Sequence, residues 1–315
     1  MEAIVPGGDD LTADDDDLEI CTMDEMLEIG LTLLRWEDHQ LARVCRETRV
    51  TRHRGHFGAN PSIYAQMWED LQTTTLEDAR VAPSRRCIKQ FHAALHFLYR
   101  YPAEIERETT WSNISHMDKL RNEGWYFVDK IRALLALKAG WPADNFGDDK
   151  WVMSIDGVHF VTYEPSHEKL PKDPAYFSYK HHAAGFNYEI GLSLYESKLV
   201  WFNGPFKAGN FNDIKMFTDG GLKAKLQATK KMVIADHGYT GYPTLVSTSN
   251  SQDSKEVSKF KVRARQRHEK YNGKLKEFQC LDERFRHKGK LQACFEAVNV
   301  IVAYKMEMGE PLFDI

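Results

Sequence analysis

Asp156 in WVMSIDGVHF, Asp236 in MVIADHGYTG and Glu269 in RARQRHEKYNGKLKEF are the residues best placed to do chemistry. The first two each follow a short apolar run that reads as a buried strand, and the third sits inside a long basic helix. A carboxylate at such depth is costly unless a cation or hydrogen-bond donors hold it. Gly238 and Gly241 supply a sharp turn that leaves Asp236 at the carboxyl end of its strand, where open α/β sheets place their sites. Hard oxygen ligands from two strand ends and one helix suit a pair of Mg²⁺ or Mn²⁺ ions, whose chemistry is the cutting or joining of a phosphodiester. Each acid taken singly is as readily a turn cap or a salt-bridge partner. The stronger expectation is that the three converge at metal-bridging distance.

The helix around Glu269 adds weight to that expectation. Arg265, Glu269, Asn272 and Lys276 fall at i, i+4, i+7 and i+11, one polar stripe, while Tyr271, Leu275 and Phe278 form an apolar stripe able to pack on a sheet. Residues 255–290 hold 13 Lys or Arg against 5 Asp or Glu, a heavier bias than a solvated salt-bridged face needs. Arg265, Lys276 and Asn272 are therefore candidate contacts to DNA phosphates. His159 and His237 lie near the acids in sequence and are left outside the site.

The chain of 315 residues holds one large domain or two ordinary ones. Its net charge of −4 averages two unlike regions: residues 1–30 carry eleven acids and no Lys or Arg, so the remainder is basic, 42 against 35. A mildly basic body suits a polyanionic partner. No apolar run reaches membrane-spanning length and no secretory leader is apparent, so no membrane association is expected. Five scattered cysteines without a CxxC pair suggest neither a disulfide framework nor a zinc ribbon, and favour a reducing intracellular compartment.

Residues 1–20 read as a disordered acidic tail. Residues 21–145 carry helical periodicity, with Asn60-Pro61-Ser62 and Ser115 as caps. The expected inward faces are Ile63, Met67 and Leu71, then Ile88, Phe91, Leu95 and Leu98, then Leu120, Trp125, Val128, Ile131 and Leu135. A helix-turn-helix-like, DNA-binding domain and a plain helical domain fit this pattern equally. AGWPADNFGDD marks a boundary, after which the pattern changes to strands. WVMSIDGVHFVTY, AAGFNYEIGLSLYES and KLVWFNGPF read as three strands, the last two joined near Glu196 and Ser197. A helix capped at Asn212, a strand ending at Asp236, the long basic helix and a final apolar helix follow. The fold class is α/β with a mixed sheet and an N-terminal all-helical region.

In order, SIDGVHF, SYKHHAAGFNYEIGLSLYESKLVWFNGPFKAGNFNDIKMF, IADHGYTG and RARQRHEKYNGKLKEF resemble the DDE domain of PIF/Harbinger transposases. The gaps of 79 and 32 residues between the three acids are compatible with an RNase H-like core. The resemblance spans about 150–310 and implies an RNase H-like DDE endonuclease domain over 150–312, with Asp156, Asp236 and Glu269 as the catalytic, metal-binding triad for two divalent cations. Asp213 matches a frequent acid of that family that is not normally counted in the triad. The resemblance further implies double-stranded DNA (transposon ends and target) as substrate, a nuclear location, and in many cases a separate Myb-like DNA-binding partner. Coupling two DNA ends implies a homo-oligomer. Three readings stand: a transposase that cleaves and transfers strands; a catalytically silent, host-adopted descendant acting as a DNA- or protein-binding factor; and a general metal-dependent nuclease without a joining step.

Overall fold

The computed structural model describes residues 21–36, 38–81, 87–111, 117–163, 172–287 and 289–315. The expected acidic tail, Ser115 and the Leu120 side chain lie outside them.

Among the described residues eight helices come first: α1 (Met23–Leu33), α2 (Asp38–Leu41), α3 (Arg46–Phe57), α4 (Pro61–Thr73), α5 (Ile88–Arg100), α6 (Glu104–Trp111), α7 (Met117–Ala133) and α8 (Leu135–Lys138). Thr22 and Glu25 form a reciprocal capping box on α1. Asn60 caps α4, its side-chain oxygen accepting from the Ser62 amide at 3.1 Å, with Pro61 in the first turn where its missing N–H costs nothing. The stripe Ile63, Met67, Leu71 is buried as its spacing predicts, and so is the stripe Ile88, Phe91, Leu95, Leu98.

The second half builds a six-stranded mixed sheet. Its elements are β1 (Trp151–Val161), β2 (Phe177–Ser178), β3 (Ala183–Ser193), β4 (Leu199–Lys207), α9 (Asp213–Asp219), α10 (Leu222–Thr229), β5 (Met232–Ile234), β6 (Val246–Ser247), α11 (Lys255–Lys276), α12 (Gln279–Asp282) and α13 (Leu291–Glu307). β3 runs antiparallel to β1 and also to β2 and β4, while β5 and β6 are parallel to β1 and to each other. The turn at Glu196–Ser197 falls where the sequence placed it. The helix expected after Asn212 is split in two, because Gly221 at φ 96° adopts a left-handed conformation that breaks it.

The sheet is covered on both faces. Val158, Phe160, Tyr188, Ile190 and Leu192 join one core with α13 and with α4, α5 and α7 of the helical region. Met153, Ile155 and Val200 pack on the other face against Phe217, Leu222 and Leu226 of α9 and α10. The helical region therefore shares an apolar core with one face of the sheet. Polar ties reinforce it. The Lys305 side chain, 0% exposed, donates to Glu277 at 2.5 Å and to the Gly58 carbonyl at 3.2 Å in the α3–α4 turn. The Tyr304 hydroxyl donates to Asp70 of α4. Removing one partner of a buried ion pair strands the other groups. Lys305→Ala is thus expected to cost about 2–3 kcal/mol in chemical denaturation, and Lys305→Met, which keeps the packed stem, less.

Candidate functional site

Strand pairing positions the first two acids. β1 and β5 are parallel with Ser154 opposite Ile234. Two residues further along both chains, this register carries Asp156 abreast of Asp236, and adjacent strands lie about 4.8 Å apart. Asp156 Oδ1 accepts from the Gly157 amide at 2.9 Å, and Oδ2 from Asn272 Nδ2 of α11 at 3.3 Å. Asp236 caps a short 3₁₀ turn over His237–Tyr239, its Oδ1 accepting from the Gly238 amide at 2.8 Å.

Asp213, the first residue of α9, is the third acid in the group. A side-chain carbon at Gly157 would collide with Asp213 Oδ1, and one at Gly238 with Asp213 Oδ2. Only glycine lets the three carboxyl groups crowd this closely. Among the described residues Lys180 is the ammonium paired with the group, 3.9 Å from Asp213 Oδ2. Burial first, and then the neighbouring Asp236 and Asp213 charges, raise the Asp156 carboxyl to about 6. Burial and Asp236 raise Asp213 against the pull of Lys180.

A further carboxyl lies within the sheet. Glu189, opposite Gly157 on β3, is fully buried. Trp201 Nε1 donates to its Oε2 at 2.9 Å, while Oε1 has no partner. Burial pushes Glu189 up to about 8, so it is neutral at pH 7. In sequence it reads as an ordinary strand position, and only the pairing reveals what it faces.

The polar stripe of α11 lies along β1. His268 is buried near Ser154, Asn272 reaches Asp156, and Lys276 is close enough to His159 and His181 to disfavour their protonation. Glu269 is exposed, one turn before Asn272, and Arg265 and Lys276 are exposed as well. The apolar stripe Tyr271, Leu275, Phe278 is fully buried. Among the described residues no three of His, Cys, Asp and Glu stand at metal-ligating spacing. Asp236 Oδ1 is bonded to its own 3₁₀ turn, and the α11 side chain that reaches Asp156 is Asn272, one turn after Glu269.

The donors nonetheless suit a hard divalent cation. They are carboxylate oxygens crowded so that their own charge is unfavourable, and Asn272 Oδ1 beside them is buried without a partner. The acids that feel one another's charge are Asp156, Asp236 and Asp213.

No curated protein and no solved structure matches the chain significantly. Among the described residues no helix is long and apolar enough to cross a membrane. Residues 155–303, which contain every acid of the site, match the family model described as DDE superfamily endonuclease, and so support a DDE transposase-like nuclease.

Proposed function

We propose that the chain is a DDE-type transposase of PIF/Harbinger character that cleaves DNA at transposon ends and transfers the strands. The single observation that carries this reading is the parallel β1–β5 register that sets Asp156 abreast of Asp236 beside α11. An antiparallel β1–β3–β4 group extended by parallel β5 and β6 is the strand arrangement of an RNase H-like core, which supports the same reading.

When bound, two divalent cations supply charge that activates a water or a DNA 3′-hydroxyl for in-line attack and stabilises the departing 3′-oxygen. Asp156 and Asp236 would hold them from the sheet and Glu269, exposed on α11, from the helix. Asn272 fixes the Asp156 carboxylate in place by donating to Oδ2. Arg265 and Lys276, exposed on the same helix, neutralise backbone phosphates and set the register of the duplex. The exposed Arg43, Arg46 and Arg54 in and before α3 extend the contact from the helical region. A nuclear location, a homo-oligomer bridging two ends and a Myb-like partner belong to this proposal.

The second reading, a silent DNA- or protein-binding descendant, is favoured by one observation: the α11 side chain bonded to Asp156 is the amide of Asn272, not the carboxylate of Glu269. Nicking of a supercoiled plasmid bearing the element's ends, with Mg²⁺ or Mn²⁺ and in EDTA, decides between them. Metal-dependent nicks and joined products are expected; binding without nicking selects the second reading, and nicking without joining a plain nuclease. Glu269→Gln is expected to abolish nicking. Asp213→Asn is expected to leave at least a tenth of it, because Asp213 lies beyond Gly157 on the α9 side of the sheet. The reverse ranking would make Asp213 the third ligand.

A further inference from the structure

The segment SYKHH, between β2 and β3, has no part in the chemistry above, yet it walls a cavity of about 310 Å³ that opens beside Asp213. That volume is at the lower end of small-ligand sites. Its walls are aromatic and basic. The His159 and His181 rings lie parallel, 4.4 Å between centroids and 5° between planes. Phe177 and Phe211 also line the cavity, and the Lys215 ammonium lies over the Phe211 ring at 4.8 Å. Lys180 projects at the border between cavity and acids, its side chain 71% exposed.

The histidine pair is held for stacking rather than for charge. Asn187 Nδ2 donates to the Phe211 carbonyl, so its Oδ1 is left to accept from His159 Nδ1 at 2.8 Å. His159 Nε2 is then a bare acceptor, buried and without a partner. Burial and the nearby Lys180 and Lys276 keep both rings neutral at pH 7. An uncharged flat surface flanked by ammonium groups is the recognition chemistry of an unpaired nucleotide: a base stacks on the rings and its phosphate meets the lysines. A base can reach such a pocket only after leaving the duplex stack.

We propose that this cavity receives an unpaired nucleotide adjoining the scissile phosphate, with its base against His181 and its phosphate at Lys180 and Lys215. The proposal rests on the nuclease reading, since the acids give the cavity its relation to the reacting bond.

The test is a fluorescence titration of the full chain in EDTA with a short single-stranded oligonucleotide carrying one 2-aminopurine, beside a duplex of the same sequence. No cleavage enters this readout. Loss of one stacking contact predicts roughly tenfold weaker single-strand binding for His181→Ala, with the 2-aminopurine quench lost. His181→Phe should retain both, and duplex binding should be little changed in either. Lys180→Gln should lower the salt slope by about one. Unaltered single-strand affinity in His181→Ala, or equal loss on duplex, overturns the proposal. Asp236→Asn should bind as the parent does while failing to nick, so a failed catalytic reading shows in nicking and a failed pocket shows in binding.

Discussion

Asp156→Asn is expected to lower metal-dependent DNA nicking by roughly 10³-fold or more, the several kcal/mol that cation chemistry supplies to charge development at phosphorus, while raising the melting temperature at pH 7. The two effects have one cause. In the folded chain the Asp156 carboxyl is raised to about 6 by burial and by Asp236 and Asp213. Above that pH the folded state carries a charge it disfavours, whereas the unfolded chain carries the same charge at no such cost. An acid with a raised folded-state value therefore destabilises at neutral and alkaline pH, and the cost fades as pH falls below about 6. Asparagine removes the charge and can still accept from the Gly157 amide. Allowing for the partial exposure of the group, the gain is about 1–2 kcal/mol, or a few degrees. Nicking assays and calorimetry on the same preparation check both halves. Full activity would remove Asp156 from the site, and lost activity with lost stability would reduce the effect to a folding defect.

What could be read from the sequence divides along the range of the interactions involved. The strands β1, β3 and β4 and the caps Asn60 and Asn212 declare themselves through alternation and through side chains that bond two or three residues away. The buried stripe of α11 is equally local, a matter of helical spacing. The pairing that makes the site is not. It joins strands 80 residues apart through a three-residue β5 whose apolar run carries no register signal. Asp213 shows the same limit in another form. As the first residue after a capping Asn it is fully explained by the helix N-terminus, which favours an acid there, and nothing local hints that it also crowds Asp156. The close triad expected of Glu269 also depended on side-chain direction. On α11 the turn that reaches Asp156 is the one bearing Asn272. The Gly-Pro-Asp-rich segment before β1 lies where helices give way to strands, and α5, α7 and α13 share one core across it.

That shared core makes the pH dependence of stability a property of the whole chain. The stability of the parent protein is expected to peak near pH 6.5 and to fall on both sides. His53, His92 and His96 lie in the helical core with Phe57, Tyr64 and Trp111 around them, and burial holds them at about 2, 4 and 3. Arg100, Arg107 and His56 oppose protonation of His96 further. Below the ordinary histidine value of 6.5 the unfolded chain takes up protons that these rings refuse. Stability contributed above 6.5 is therefore lost as pH falls, with a slope approaching about 1.4 kcal/mol per pH unit for each ring. Glu189 works in the opposite sense. Held at about 8 when folded, it favours the folded state increasingly as pH drops from 8 toward the ordinary glutamate range, and Asp156 adds to this below about 6. Above pH 6.5 Glu189 acts without opposition from the histidines and stability rises on acidification; below it the depressed histidines, His181 and His268 among them, outweigh the raised acids Glu189, Asp156 and Asp213. Urea denaturation from pH 8.5 to 5 checks the profile. Glu189→Gln should flatten the alkaline limb, and His96→Leu should make the acid limb shallower by about one proton's slope, whatever either substitution does to the height of the curve. A parent profile that is level between pH 6.5 and 5 would mean that these rings accept protons in the folded chain.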